Sequence, residues 1–188
     1  MAVAKPKTKA ITYQAYLKMP EIKKRYDIID GEMVMSPAPT YGHQSVLRTV
    51  FRILDRHVTE HDLGEVLFAP LDVVIRKQPL RTRQPDAIFI HREKVGLVRE
   101  DRSVEIPPDL AIEILSPSNT RAYLLDKLAD YGQMGVRECW IVHPETHTVE
   151  VARLSRQGTE DIQTFGMGET LRSEVLPDLS VDVAEIFA

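Results

Sequence analysis

The stretch DLAIEILSPS, residues 109–118, carries one charged residue inside an otherwise apolar run. Apolar residues on both sides of the chain are typical of a strand that is covered on both faces. Glu113 lies in the middle of this run. A buried carboxylate costs several kcal/mol unless a cation, a hydrogen-bond donor or a metal compensates it. The sequence therefore predicts a partner for Glu113, and the nature of that partner bears on function.

A second carboxylate lies at the start of another predicted strand. In PDAIFI, residues 85–90, strand periodicity places Asp86 at the head of the face that also carries Ile88 and Ile90. Taken alone, Pro85-Asp86 also fits a turn that opens a strand. The combination of Asp86 with a carboxylate inside the next predicted strand along the chain is more informative than either residue alone.

Lys127, in the helix that follows, is the third candidate. It borders a buried stripe formed by Leu124, Leu128 and Tyr131. Two carboxylates and a lysine at one edge of a sheet suit metal-assisted phosphodiester hydrolysis, in which oxygen ligands hold Mg²⁺ and the lysine orients a water or stabilises charge. Two alternatives stay open: Lys127 extends its charge from the edge of the stripe into solvent, or it forms a structural ion pair with Glu113.

The composition of the chain sets wider limits. Its 188 residues predict a single domain over residues 11–188, after a flexible arm over residues 1–10. The net charge of −4 gives no general reason to expect nucleic acid as a partner, so phosphate binding requires a local basic surface. The single cysteine excludes an intramolecular disulfide. No run is long enough to span a membrane, and we expect a cytoplasmic protein.

The order of predicted elements indicates an α/β fold with a mixed sheet flanked by helices. Asp30-Gly31 predicts a hairpin turn, and apolar spacing from Gly42 to about His61 predicts a long amphipathic helix. Four strands, a helix and two strands are expected to follow this helix. The basic segment RKQPLRTRQ, residues 76–84, is expected to be a loop, and residues 92–108 are expected to be irregular.

Two helix starts are expected from capping residues. The helix that carries Lys127 is expected to begin at a cap on Ser118 or Asn119 and to end near Gly132–Gly135. The tail LPDLSVDVAEIF predicts a final helix capped by Ser180.

The motifs QPDAIFI, EILSPS and GVRECWIV together resemble the Uma-two family of bacterial proteins. That family is assigned to the restriction-endonuclease-like PD-(D/E)xK nuclease superfamily. The resemblance extends over essentially the whole chain after residue 10. It implies a restriction-endonuclease-like core with a Mg²⁺ site, in which Asp86 takes the PD aspartate role and Glu113 the (D/E) role. The backbone carbonyl of Ile114 would be the third protein ligand.

One position departs from the superfamily pattern. The superfamily lysine would stand two residues after Glu113, where this chain has Leu115. The resemblance implies that the lysine has moved to the following helix, where Lys127 is available. A site that Lys127 does not reach would bind a metal without cutting.

Other polar residues at the edge of the expected site are secondary candidates. His43 lies on the inward side of its helix, although a core histidine with satisfied hydrogen bonds is the plainer alternative. Glu32 follows the hairpin turn, where a solvated glutamate is the alternative. The resemblance raises the interest of both His43 and Glu32, and Gln84 is a weaker candidate. The basic segment runs into Asp86, so Arg81 and Arg83 are candidates for contacting a substrate phosphate, with a solvated loop as the alternative.

These features support the hypothesis of a Mg²⁺-dependent endonuclease that hydrolyses phosphodiester bonds of DNA, with Mn²⁺ as a substitute cation. Asp86 and Glu113 would bind the metal, and Lys127 would position the water or stabilise developing charge. The alternative is an inactive module that retains the nuclease fold and binds nucleic acid or protein, which the negative net charge and Leu115 favour. Nucleases of this fold often dimerise, so a homodimer is a further expectation.

Overall fold

The computed structural model describes residues 10–117 and 119–188. The predicted arm therefore lies outside the described residues except for Ala10, and so does Ser118. The helices are Tyr13–Tyr16 (α1), Tyr41–Glu60 (α2), Arg92–Val95 (α3), Arg121–Met134 (α4) and Val183–Ile186 (α5). The strands are Tyr26–Ile29 (β1), Glu32–Met35 (β2), Gly64–Phe68 (β3), Val73–Lys77 (β4), Leu80–Arg83 (β5), Ala87–His91 (β6), Leu110–Ile114 (β7), Glu138–His143 (β8), Thr148–Ser155 (β9), Gly158–Phe165 (β10), Thr170–Arg172 (β11) and Ser180–Asp182 (β12). None of the helices in the described part of the chain has the length and apolar character that crossing a bilayer requires.

Six strands form the main sheet in the order β10-β9-β8-β7-β6-β3. β7 and β8 are parallel, and the other neighbours are antiparallel. Ile112 and Ile114 of β7 pack in the core that α2 covers, whereas Ala111 packs on the side of α4. Glu113 also faces α4, because its side chain contacts Lys127. The predicted mixed sheet flanked by helices is confirmed, and the period of two along β7 is what turns Glu113 toward α4.

A second, four-stranded sheet has the order β2-β1-β5-β4. β1 and β2 form the predicted hairpin, with Asp30 and Gly31 at φ values of 52° and 85°, the left-handed region that these residue types tolerate. The expectation of a loop over residues 76–84 is wrong, because β5 lies within it and pairs with both β4 and β1. The segment looks solvated because of its arginines, but the structure buries Arg81 and Arg83 against acidic residues.

The turn from β7 into α4 is short and hydrogen-bonded. The N-cap of α4 is Thr120, whose hydroxyl accepts from the backbone N–H of Tyr123, so the cap predicted at Asn119 is wrong and Ser118 lies outside the described residues. The Asn119 side-chain oxygen instead accepts from the N–H of Ser116 at 2.7 Å. This compact turn carries α4 back over the strand that it follows.

The C-terminal part contains strands that the sequence did not indicate. β10 extends the main sheet beyond β9, and β11 pairs with β12. The final helix starts later than expected and is capped by Asp182, because Ser180 belongs to β12. The expectation of an irregular segment over residues 92–108 is also incomplete, since α3 lies at its start.

Candidate active site

Asp86 lies between β5 and β6 and is 2% exposed. Its Oδ2 accepts from the backbone N–H of Ile114 at 2.7 Å and lies 3.3 Å from Nε2 of His43, while Oδ1 accepts from Nη1 of Arg25 at 2.5 Å. Burial by itself raises the pKa of Asp86, but His43, Arg25 and the Ile114 N–H outweigh burial and hold the pKa below its usual range. The carboxylate is therefore charged at neutral pH.

Glu113 is buried in β7, and both of its carboxylate oxygens have partners. Oε2 accepts from Nζ of Lys127 at 2.8 Å, and Oε1 accepts from the hydroxyl of Tyr131. Burial raises the pKa of Glu113, the charge of Asp86 raises it further, and Lys127 and Tyr131 only partly oppose this. The two carboxylates line the same cavity, and the charge of Asp86 opposes ionisation of Glu113, which is a situation that a shared cation relieves.

Lys127 projects inward from α4 and is 7% exposed. Burial disfavours its charge, but the carboxylates of Glu113 and Asp27 outweigh burial and raise the pKa of Lys127. Its Nζ also lies 5.4 Å from the centre of the Tyr123 ring. The alternative in which Lys127 extends into solvent is wrong, because its ammonium group is buried in an ion pair with Glu113.

A cavity of about 550 Å³ opens beside these three residues. Asp86, Glu113 and Lys127 all line it, so the structure brings the principal predicted residues together. Arg25 and the predicted residues Ile114, His43 and Gln84 line it too. Residues 34–40, from the end of β2 to the N-cap of α2, also line the cavity, as do residues of the turn between β7 and α4.

The predicted secondary residues have different surroundings. His43 is buried next to Asp86, and its Nδ1 has no hydrogen-bond partner in the described part of the chain. The side-chain amide of Gln84 is engaged, since Nε2 donates to Asp72 at 2.7 Å and Oε1 accepts from the backbone N–H of Tyr26 at 3.3 Å. Glu32 is exposed at the start of β2 and does not line the cavity, so the structure does not bring it to the site.

Arg81 and Arg83 are 7% and 0% exposed and lie in a buried ionic network with α4. Nε of Arg81 donates to Asp130 at 2.6 Å, and Arg83 donates from Nε to the same carboxylate at 2.6 Å and from Nη1 to Asp27 at 3.0 Å. A substrate phosphate would have to displace these carboxylates from a desolvated position. The geometry therefore opposes the phosphate contacts predicted for Arg81 and Arg83.

Comparison with known proteins decides the family. The family model Uma2, described as "Putative restriction endonuclease", matches residues 13–184. The chain belongs to the Uma2 family. The matched range includes the elements that build the cavity, from β1 through α4. The resemblance carried by the QPDAIFI, EILSPS and GVRECWIV motifs is thus confirmed.

The fold of this Uma2 protein is also found in a solved structure. The crystal structure of "a putative nuclease belonging to DUF820" from Anabaena variabilis ATCC 29413 matches with a TM-score of 0.78 and 19% sequence identity, over 94% of this chain and 97% of that chain. At this identity the match establishes the fold alone, and the restriction-endonuclease-like fold class is confirmed. No curated protein matches the chain.

Two groups at the site of this Uma2 protein were not foreseen from the sequence. Arg25 belongs to the basic run KKR before β1, where nothing distinguishes it from a solvated cation. Tyr131 was expected in the buried stripe of α4, but its spacing does not indicate that its hydroxyl donates to Glu113. A signal for Tyr131 exists in principle, because a buried tyrosine hydroxyl needs a polar partner and the sequence already predicts that Glu113 needs one too.

The residues present in this Uma2 protein fit a hard divalent cation, which restriction-endonuclease-like proteins generally use. Asp86 and Glu113 supply oxygen donors at one cavity, and Arg25 and Lys127 provide the positive charge that these carboxylates require. Among residues 10–117 and 119–188, no group of three or more His, Cys, Asp or Glu side chains is arranged to hold a metal by itself. A cation here would need the two carboxylates, a backbone carbonyl and retained waters, a ligand set that suits Mg²⁺.

Proposed function

We propose that this protein is a divalent-metal-dependent endonuclease that hydrolyses phosphodiester bonds of DNA. The observation that carries the proposal is the convergence of Asp86, Glu113 and Lys127 on one cavity. Membership of a family described as "Putative restriction endonuclease" supports the reaction class. The arrangement of two acids and a buried ammonium group also corresponds to the PD-(D/E)xK pattern, with the lysine supplied by α4.

Each residue would have a distinct role. Asp86 and Glu113 would hold Mg²⁺ or Mn²⁺ together with the backbone carbonyl of Ile114. The bound cation would polarise the phosphate and lower the pKa of a bound water. Lys127 keeps its proton between Glu113 and Asp27, so its ammonium would orient the attacking water or stabilise charge on the phosphate. His43 would keep the Asp86 carboxylate in position through its 3.3 Å contact.

A row of arginines on α2 supports DNA as the substrate despite the net charge of −4. Arg48, Arg52 and Arg56, here called the arginine ridge, are exposed and follow one another at intervals of four residues, about 6 Å along the helix axis. The ion pairs within 4 Å in the described part of the chain involve none of the three. Tyr41 is 88% exposed and lies on the same face of α2 as the three arginines. It is the first residue of the helix and follows Thr40, which lines the cavity. The arginine ridge would hold the DNA backbone as it leaves the cavity.

Calorimetric titration with Mg²⁺ and Mn²⁺ tests the proposal. Wild type should bind either cation, and Glu113→Gln should not, because glutamine keeps the shape but lacks the charge that a hard cation needs. Glu160→Gln, an equivalent change at an exposed position of β10, should bind like wild type. DNA cleavage by wild type should then be lost in Lys127→Ala. The absence of metal binding by wild type would contradict the proposed function.

A non-catalytic binding module is the second candidate function. It is favoured by the fact that Asp86 and Glu113 already have partners on all four oxygens, together with Leu115 in the superfamily lysine position. DNA binding without metal binding would support this candidate. A homodimer, which would allow two strands to be cut, belongs to the endonuclease proposal and is tested by sedimentation of the protein with and without a DNA duplex.

A further inference from the structure

Arg25 reaches the cavity from the segment that precedes β1. Its Nη1 donates to Oδ1 of Asp86 at 2.5 Å, and its Nη2 donates to the backbone carbonyl of Gln84 at 2.6 Å. Nε of Arg25 is buried without a partner in the described part of the chain. The guanidinium is thus held from one side only, by a carboxylate and a carbonyl.

The two oxygens of Asp86 differ in how readily their partners can leave. Oδ2 accepts from the backbone N–H of Ile114, which is fixed in β7 and cannot move without disrupting the sheet. Oδ1 is contacted by the side chain of Arg25, which can rotate. A cation that approaches Asp86 from the cavity would therefore take Oδ1, and it would compete with Arg25 for that oxygen.

Arg25 and Lys127 differ in how easily each can be displaced from the carboxylate that it neutralises. Lys127 lies on a packed helix and its side chain is 9% exposed, whereas the side chain of Arg25 is 21% exposed and lies outside any helix or strand. Rotation of Arg25 moves a side chain that is already partly exposed. Displacement of Lys127 would instead leave the buried carboxylate of Glu113 without its cation. Arg25 is consequently the exchangeable member of the pair.

We propose that Arg25 is an exchangeable counter-cation, which neutralises Asp86 in the metal-free protein, yields Oδ1 to a divalent cation and then binds a phosphate group of the substrate. This inference rests on the proposed metal site at Asp86 and Glu113. A guanidinium suits both tasks, because its planar donors match carboxylate and phosphate oxygens equally well. After the exchange, the divalent cation compensates Asp86 and the substrate phosphate compensates Arg25, so neither charge is left without a partner.

Metal affinity gives the first test. In calorimetric titration with Mn²⁺ and no DNA, Arg25→Ala should bind about tenfold more tightly than wild type, because a charge-assisted competitor has been removed. Arg25→Gln, which retains a donor without the charge, should also bind more tightly and serves if the alanine variant does not fold. Arg156→Ala, an equal change of charge on the exposed turn between β9 and β10, should leave the affinity unchanged.

DNA affinity gives a second test with the opposite sign. With Ca²⁺ as the oxygen-bound cation, Arg25→Gln should bind a DNA duplex more weakly than wild type, with a salt slope reduced by about 1. Without a divalent cation, the difference between the two proteins should be smaller, because Asp86 already occupies Arg25 in the wild type. Equal or weaker Mn²⁺ binding by both Arg25 variants, with wild type binding normally, would overturn this inference and leave the proposed function intact. Failure of every variant and of wild type to bind Mn²⁺ would overturn both.

Discussion

Replacement of Lys127 by methionine isolates the energetic role of the buried ion pair. Methionine keeps the length of the side chain and the helix propensity but removes the charge. The Nζ of Lys127 lies 2.8 Å from Glu113, and the lysine is 7% exposed, so its loss leaves a buried carboxylate without its cation. Removing one partner of such a pair typically costs about 3–5 kcal/mol. This is a large part of the roughly 5–15 kcal/mol that stabilises a domain.

Urea unfolding at neutral pH in EDTA measures this cost. The free energy of unfolding should fall by about 3–5 kcal/mol in Lys127→Met. It should fall by less in Lys127→Met/Glu113→Gln than the two single changes predict together, with a coupling of about 1–3 kcal/mol, because the double variant has no unpaired charge. Lys24→Met, at an exposed position, should be close to wild type. A loss below about 1 kcal/mol, or strictly additive costs, would refute the buried pair.

Three further changes test other parts of the molecule. Burial raises the pKa of Asp109, but the backbone N–H of His91 and two basic side chains outweigh it and lower the pKa. Its contribution to stability is therefore present above about pH 4 and is lost as the pH falls further, so Asp109→Asn should flatten the pH dependence of urea unfolding below about pH 4. Alanine at all three positions of the arginine ridge should reduce the salt slope of DNA binding by about 3, measured by fluorescence anisotropy, whereas an equal loss of exposed charge at Arg92, Arg99 and Arg156 should not. Gly132→Ala should cost about 1–3 kcal/mol in thermal unfolding, since its Cβ would lie 2.5 Å from the carbonyl oxygen of Ser155, and an unchanged melting temperature would contradict this packing.

The centre of the fold could be predicted because burial leaves strong patterns in the sequence. β7 is apolar on both faces, so Glu113 was conspicuous, and the stripe on α4 identified Lys127 as a residue at its margin. Asp86 followed from the strand that it opens. All three lie at one cavity because β6 and β7 are neighbours and α4 follows β7 directly.

Residues placed by distant pairing could not be predicted in the same way. Arg25 reaches Asp86 because β1 pairs with β5, as in the Ile28–Thr82 register, and no local pattern encodes this contact. The sequence does not indicate β5, because its arginines look solvated. They are buried only because Asp27 and Asp130, which lie in other segments, neutralise them. β10 was missed for a different reason: it is an edge strand whose side chains are mostly exposed, so it lacks an apolar run.

The buried ionic network gives the basic segment around β5 a purpose other than binding substrate. Arg81 and Arg83 tie the four-stranded sheet to α4 through Asp130, and Arg83 also binds Asp27, a carboxylate that helps to keep Lys127 charged. This network also joins the regions that carry the two cations of the cavity. Arg25 directly precedes β1 of the four-stranded sheet, and Lys127 lies on α4. The contacts of Arg81 and Arg83 with Asp130 hold the four-stranded sheet, and with it the segment that carries Arg25, against α4. The position of Arg25 relative to Lys127 is therefore set in part by buried charges outside the cavity. This gives the two arginines of β5 a structural role that offsets the cost of their desolvation.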